Sequence, residues 1–203
     1  MKTSNKFTLV RIFAAPIFFI LYFLPSWLKC ENGSIVSIIT ICVLIPFLAL
    51  AEITDYFDGH FARKHNEVSD FGKMFDPFAD VFLHLSTFTC FVFTGWMHPV
   101  LYILILYREF SQNFLRMVAA KKGTAIAARK GGKLKTVFYI TSCFVTLVAE
   151  GLVRTTLIKF VPVPENVLHL VPQIFFAVCV ILSYASFIDY LKNFGSVLKE
   201  AAE

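Results

Sequence analysis

The sequence predicts an all-α integral membrane protein, a bundle of six transmembrane helices with both termini cytoplasmic. Hydrophobic residues make up 57% of its 203 positions and mean hydropathy is +0.69. The apolar residues also gather into six runs of about 20, the length a helix needs to cross a bilayer core. A soluble domain is roughly 45–50% apolar, and a fold of this size has no interior large enough to hide the excess. The formal charge of +5 is too small to point to nucleic acid. Its meaning lies in where the basic residues sit.

The first run, 7–28, follows Lys2 and Lys6 and imitates a signal peptide. No small-x-small cleavage site ends it and further runs follow, so a retained helix is expected. The other runs are 35–56, 76–96, 99–120, 134–153 and 167–190, parted by polar breaks such as 29–34 and 121–133. No repeat, low-complexity tract or independent soluble appendage interrupts them, so residues 1–203 are expected to form one membrane domain. With the N-terminus inside, thirteen lysines and arginines fall in cytoplasmic segments, against Lys29, Arg154 and Lys159 outside. That asymmetry sets the orientation in the cytoplasmic membrane. Trp27 and Trp96 fall at the outer ends of the first and third spans, as an interfacial aromatic belt would have them. The many phenylalanines are expected to face lipid. Cys30, Cys42, Cys90, Cys143 and Cys179 are scattered without CxxC spacing, which predicts buried packing rather than disulfides or zinc.

The chemistry starts at the end of the second span. Asp55 and Asp58 are three residues apart on one helix, and Asp76 and Asp80 four apart on the next, so each pair projects from one face. A short polar turn, ending near Gly72, lets the two faces meet, with Pro77 expected in the first turn of the third helix. Four carboxylates at a membrane boundary cost about 2.5–3.5 kcal/mol each at span centre, on the order of 10 kcal/mol together. Two divalent cations would cancel the four charges, and hard oxygen donors suit Mg2+ or Mn2+. Such a pair clamps the attacking and leaving oxygens of a phosphoryl displacement. Gly59 and Ala62 leave room for a bulky ligand, and Arg63 can meet phosphate oxygens. The plainer alternative is that these acids merely end helices in water, which is harder to sustain for four at these spacings.

The pattern Asp55-x2-Asp58-Gly59-x2-Ala62-Arg63-x8-Gly72-x3-Asp76-x3-Asp80 resembles the signature of the CDP-alcohol phosphotransferase family at all eight specified positions. Asn5-Lys6-Phe7-Thr8-Leu9-Val10-Arg11 and Pro16 look like that family's N-terminal segment. Arg108-Glu109-Phe110, Leu115-Arg116, Ala119-Ala120 and Gly132-Lys133-x-Lys135-Thr136 are similar to its phosphatidylglycerophosphate synthase branch. The likeness covers about two-thirds of the chain. It implies that Asp55, Asp58, Asp76 and Asp80 bind two metal ions and that Asp80 is also the general base. It further implies that Gly59, Arg63 and Ser69 hold the CDP moiety beside Ala62 and Gly72, with Asn5 and Thr8 near the nucleotide. The substrates implied are CDP-diacylglycerol and a small alcohol, and the assembly a homodimer. Val81 departs from the branch, which has lysine there, and Glu52 and His60 are atypical neighbours.

On the fourth span Arg108, Glu109, Gln112, Asn113 and Arg116 fall within an arc of about 140°, at about 100° per residue, and must point into the bundle. Arg108, Arg116, Lys133 and Lys135 could attract a phosphorylated acceptor, which points to sn-glycerol 3-phosphate; serine, inositol phosphate or a phospholipid are the other acceptors this chemistry allows. The competing reading is an internal Arg108–Glu109 pair with Arg116 reaching outward. Glu150 is placed to pair with Arg154 one turn on, while Arg11 has no evident partner. His60 and His65 read as neighbours of the acids rather than zinc ligands, and His84, His98 and His169 as packing or interfacial residues. A divalent-cation channel would also use intramembrane acids. It has no need of Gly59, Ala62, Arg63 and Gly72, and no acid follows between Asp80 and Trp96 to continue a path.

Overall fold

Uninterrupted apolar stretches leave the backbone one way to satisfy its amides away from water, which is hydrogen bonding within each helix. The computed structural model describes residues 3–64, 70–121 and 130–202, with side chains for 8–54, 72, 74–120 and 131–195. Its helices are α1 (Thr3–Trp27), α2 (Ile35–Lys64), α3 (Asp70–Phe93), α4 (Pro99–Lys121), α5 (Lys130–Arg154) and α6 (Glu165–Ala202), with a 3-10 turn at Leu157–Phe160. Each expected run lies on its own helix, and α2, α3 and α6 extend well beyond theirs. Four stretches are long and apolar enough to cross a membrane: Thr8–Trp27, Ile35–Thr54, Gly131–Arg154 and Glu165–Gly195. Among the described residues α3 and α4, which carry the acids and the polar face, fall short of that apolarity.

The helices run alternately up and down. Helix α1 packs against both α2 and α3, α6 packs against α4 and α5, and the two groups meet where α3 touches α4 and α5 and α2 touches α5. Phe18, Leu44, Leu48, Phe88, Phe91 and Phe176 are fully buried at the centre, with the Phe88 and Phe176 rings edge to face at 5.1 Å. Val10, Phe13, Ile17, Ile39, Phe110 and Phe114 are exposed on the outside, the apolar exterior that lipid requires.

Several expectations need correcting. Pro77 lies inside α3, because the helix starts at Asp70 and not at the membrane boundary. There it removes one intrahelical hydrogen bond. The phenylalanines divide between core and exterior, since aromatic rings fill large volumes as well as any residue. Trp96 is only 4% exposed and stacks on His169 with centroids 4.0 Å apart, so it belongs to the interior, whereas Trp27 is 56% exposed. Cys42 is exposed while Cys90, Cys143 and Cys179 are buried, and the cysteines are free thiols.

The end of the bundle away from the N-terminus is closed by polar contacts. Tyr22 of α1 donates from its hydroxyl to Glu150 Oε2 at 2.6 Å and lies 2.7 Å from Thr94 Oγ1 of α3. Arg154 donates to Glu150 Oε1 through Nε at 2.8 Å and Nη2 at 2.6 Å, and to the Tyr22 carbonyl through Nη1 at 3.2 Å. Gly33, in the α1–α2 turn, donates its N–H to the Arg154 carbonyl at 2.8 Å. Its φ of +86° favours glycine, and a Cβ at this position would lie 3.1 Å from Thr156 Cγ2. Because Glu150 and Arg154 are both buried, removing one leaves an uncompensated charge. Glu150→Ala should therefore cost about 3–5 kcal/mol, whereas Glu150→Leu combined with Arg154→Leu should cost much less. Thermal unfolding of the purified protein in detergent will rank the two.

Candidate active site

At the N-terminal end α1 and α3 meet side by side. Thr8 Oγ1 donates to Asp76 Oδ1. One turn deeper, Arg11 Nη1 donates to Asp80 Oδ1 and Nη2 lies 3.7 Å from Asp76 Oδ1. Arg11, whose partner the sequence leaves open, is 1% exposed, while the Asp76 and Asp80 side chains keep 38% and 29% of their surface open. The guanidinium therefore approaches from the protein side and the carboxylates also face outward. Gly72 is buried on the same stripe of α3, four residues before Asp76. Asp55, Asp58, Gly59, Ala62 and Arg63 belong to α2 and Asn5 to α1, but their side chains, like Ser69 and His65, lie outside the described residues.

A second polar cluster is built on α4 and α5. Glu109 Oε1 accepts from Arg108 Nη1 at 2.8 Å, Lys135 Nζ at 2.8 Å and Tyr139 OH at 2.9 Å. Arg108 also donates through Nε to the Ser183 carbonyl of α6 at 2.9 Å. Arg108, Glu109, Lys135 and Tyr139 are all buried. Two cations thus face one anion, and Arg116, two turns on from Arg108, packs over the Tyr190 ring at 5.8 Å. The internal Arg108–Glu109 pair is present, and Lys135 joins it. Arg116 makes no ion pair among the described residues; its Nε, and both amide atoms of Gln112 one turn away, are buried without hydrogen-bond partners. Such atoms are costly unless something satisfies them. Lys133 is exposed.

His84 connects the two clusters. It lies one turn beyond Asp80 on α3, with Nε2 3.2 Å from Glu52 Oε1 of α2, an ion pair when the imidazole is protonated, without hydrogen-bond alignment. Its ring meets Tyr139 edge to face at 5.7 Å, and Tyr139 reaches Glu109. Sequence reasoning misses this link. The available signal is the spacing, Glu52 three before Asp55 and His84 four after Asp80.

A family model, CDP-alcohol phosphatidyltransferase, matches residues 1–185. The chain belongs to the CDP-alcohol phosphatidyltransferase family. It is accordingly an enzyme of that type. A protein of Treponema pallidum named CDP-diacylglycerol–glycerol-3-phosphate 3-phosphatidyltransferase is 35% identical over 98% of this chain and 92% of its own length. An Aquifex aeolicus protein of the same name is 30% identical over 98% and 100%. One from Bacillus subtilis is 38% identical over 65% and 69%.

Within this family member, Glu109 is the anion on which three donors converge. Glu109→Ala should lower stability by about 3–5 kcal/mol by leaving Arg108 and Lys135 buried and unpaired. Tyr139→Phe, which removes one hydrogen bond to a charged group, should cost about 1.5–3 kcal/mol. Equal melting temperatures for the two variants in detergent would contradict this order.

Proposed function

We propose that this enzyme transfers the phosphatidyl group of CDP-diacylglycerol to sn-glycerol 3-phosphate, releasing CMP and forming phosphatidylglycerophosphate. The observation that carries this is a juxtaposition: the carboxylate face of α3 is joined through His84 and Tyr139 to a buried cluster with more cations than anions. The names of the relatives point the same way.

Asp55, Asp58, Asp76 and Asp80 would hold two divalent ions, Mg2+ or Mn2+. The donor set fits, being made of hard carboxylate oxygens, and Asp76 and Asp80 already gather around the positive charge of Arg11. When bound, the ions supply neutralisation of the charge on the phosphoanhydride and its leaving group. Asn5, Thr8, Gly59, Ala62, Arg63, Ser69 and Gly72 bind the CDP moiety. An apolar groove of about 250 Å3 between α1 and α3, lined by Ala15, Pro16, Phe19, Ile20, Phe82 and Thr89 among others, runs inward from this end and suits an acyl chain.

Asp80, oriented by Arg11, takes the proton of the acceptor hydroxyl. The hydroxyl oxygen bonds to the phosphorus bearing the diacylglycerol, the bond to the bridging oxygen breaks, and CMP leaves with that oxygen. Arg116, Lys133 and the unsatisfied amide of Gln112 would engage the acceptor's phosphate and hydroxyls. Arg108 and Lys135, held by Glu109, add positive potential. A neutral amino alcohol would gain little from these cations, whereas a phosphate gains charge-assisted hydrogen bonds.

In this reading α3 and α4 also cross the membrane, giving six spans in one domain of residues 1–203. The basic-residue asymmetry supports cytoplasmic termini and an active site facing the cytoplasm of the cell membrane, where cytidine nucleotides are found. The working unit is a homodimer.

Purified protein given CDP-diacylglycerol should release CMP with glycerol 3-phosphate and stop in excess chelator, recovering with Mg2+ or Mn2+. Release with serine, inositol phosphate or a phospholipid instead would replace the acceptor, and turnover undiminished by chelator would remove the metals. Asp80→Asn should lower kcat at least about 10²-fold, the low end for a general base. Arg116→Ala should raise KM for glycerol 3-phosphate with little change for the CDP-lipid.

A further inference from the structure

The four acids are divided between α2 and α3, and these helices share little direct backbone contact among the described residues because both lean on α1. Thr8 and Arg11 fix α3 to α1 at the level of Asp76 and Asp80. Among the described residues α2 meets α1 through apolar packing, which has no preferred direction. Glu52 and His84 are the polar link between α2 and α3 among the described residues.

Their position is specific. At 1.5 Å of rise per residue, Glu52 lies about 4.5 Å along α2 from Asp55, and His84 about 6 Å along α3 from Asp80, both on the inner side. Spacings of three and four residues keep each on the face of its acid. The pair therefore lies about one turn inward of Asp55 along α2 and of Asp80 along α3. Its side chains are 12% and 4% exposed. Two apolar residues would fill such a space at no loss of stability, since a buried ion pair often contributes nothing net over hydrophobic packing. What an ion pair supplies that leucine or valine cannot is a fixed distance between two helices. The contact of His84 with Tyr139, and of Tyr139 with Glu109, passes that constraint to the cationic cluster.

We propose that Glu52 and His84 are positioning residues that set the separation and register of the α2 and α3 carboxylates, and so the affinity of the site for divalent cations. This rests on the metal reading given above. Outer partners of metal ligands change affinity or activity by about 10–100-fold when removed, and a 1 Å misplacement of reacting groups has an effect of similar size.

The test uses full-length protein in detergent, stripped with chelator, and compares wild type with Glu52→Ala combined with His84→Val. Three quantities are read: Mn2+ affinity without substrate, kcat and KM for CDP-diacylglycerol with Mg2+, and melting temperature. The double variant should melt within a few degrees of wild type, bind Mn2+ about tenfold more weakly, and lose about 10–100-fold in kcat with KM changed less than about threefold. If it proves too unstable to purify, Glu52→Gln, which keeps the shape and loses the charge, is held to the same three expectations. Wild-type Mn2+ affinity in the variant overturns the proposal, even where kcat falls together with melting temperature, because that marks a structural role alone. Absence of Mn2+ binding by the wild type itself, with turnover in chelator, overturns the metal reading and the proposal with it.

Discussion

Arg11 lies in the third turn of α1 and is almost wholly buried. A guanidinium in that position has no water to turn to, and isolated burial of a charge is far too costly to survive. It must find anions within the bundle, and it finds Asp80 and Asp76. The rest of α1 touches its neighbours through Ala15, Phe18 and similar residues, whose packing tolerates sliding far better than an ion pair does. The pairing therefore fixes how α1 sits against α3. Because α1 also packs along α2, the placement of α2 relative to α3 is tied to the same helix. The same rule recurs at Glu109, which takes Lys135 of α5, and at Glu150 with Arg154, which together hold Tyr22 of α1. At these three places among the described residues a buried ionic group becomes a register pin for the helices that meet there.

The two ends of the bundle use charge differently. At the end bearing Glu150, both carboxylate oxygens are taken by Tyr22 and Arg154, and Gln173 ties the α3–α4 turn to α6 by bonding the Trp96 carbonyl and the His98 N–H, each at 2.9 Å. That cluster works as a fastening, its polar groups satisfied by one another. At the other end Asp76 and Asp80 keep much of their surface open, and Arg116 Nε and Gln112 stay unsatisfied. The incomplete satisfaction is on the side that bears the family signature.

Local spacing decides which parts of this are legible in the sequence. Asp55 with Asp58, Asp76 with Asp80 and Glu150 with Arg154 are separated by about one helical turn, so the sequence alone places each pair on one face. The six helices follow from apolar runs for the same reason. Arg11 and Asp80 are 69 residues apart and Tyr22 and Glu150 are 128 apart, and no periodicity encodes a partner at such a distance. The true start of α3 escapes a hydropathy reading because Asp70 to Phe75 have no apolar run, yet continue the helix beyond the hydrophobic segment. Trp96 reads as interfacial because end-of-span position says nothing about whether a neighbour such as His169 covers the ring. The pairing of Arg108 with Glu109 is readable because the two are adjacent, and the family resemblance groups Lys135 with Arg108, whereas the bonds of Lys135 and Tyr139 to Glu109 cross between helices and leave no local spacing to read.

Among the described residues the helices that fall short of membrane-spanning apolarity are α3 and α4, and they are the ones that carry Asp76, Asp80, His84, Arg108, Glu109, Gln112 and Arg116. A helix that turns a polar face into an apolar bundle gives up apolar residues on that face, and most of its buried polar groups are met by a partner, Gln112 and Arg116 Nε excepted. Helices α1, α2, α5 and α6 keep their apolar content and supply those partners one or two at a time: Thr8 and Arg11, Glu52, Lys135 and Tyr139, and Ser183 and Ser186. Phe78, Phe82, Phe110 and Phe114 remain exposed on the outer faces of α3 and α4, restoring the apolar exterior that their inner faces lack. His84, Arg108, Glu109 and Gln112 are thus buried on the inner side while the outer side stays apolar.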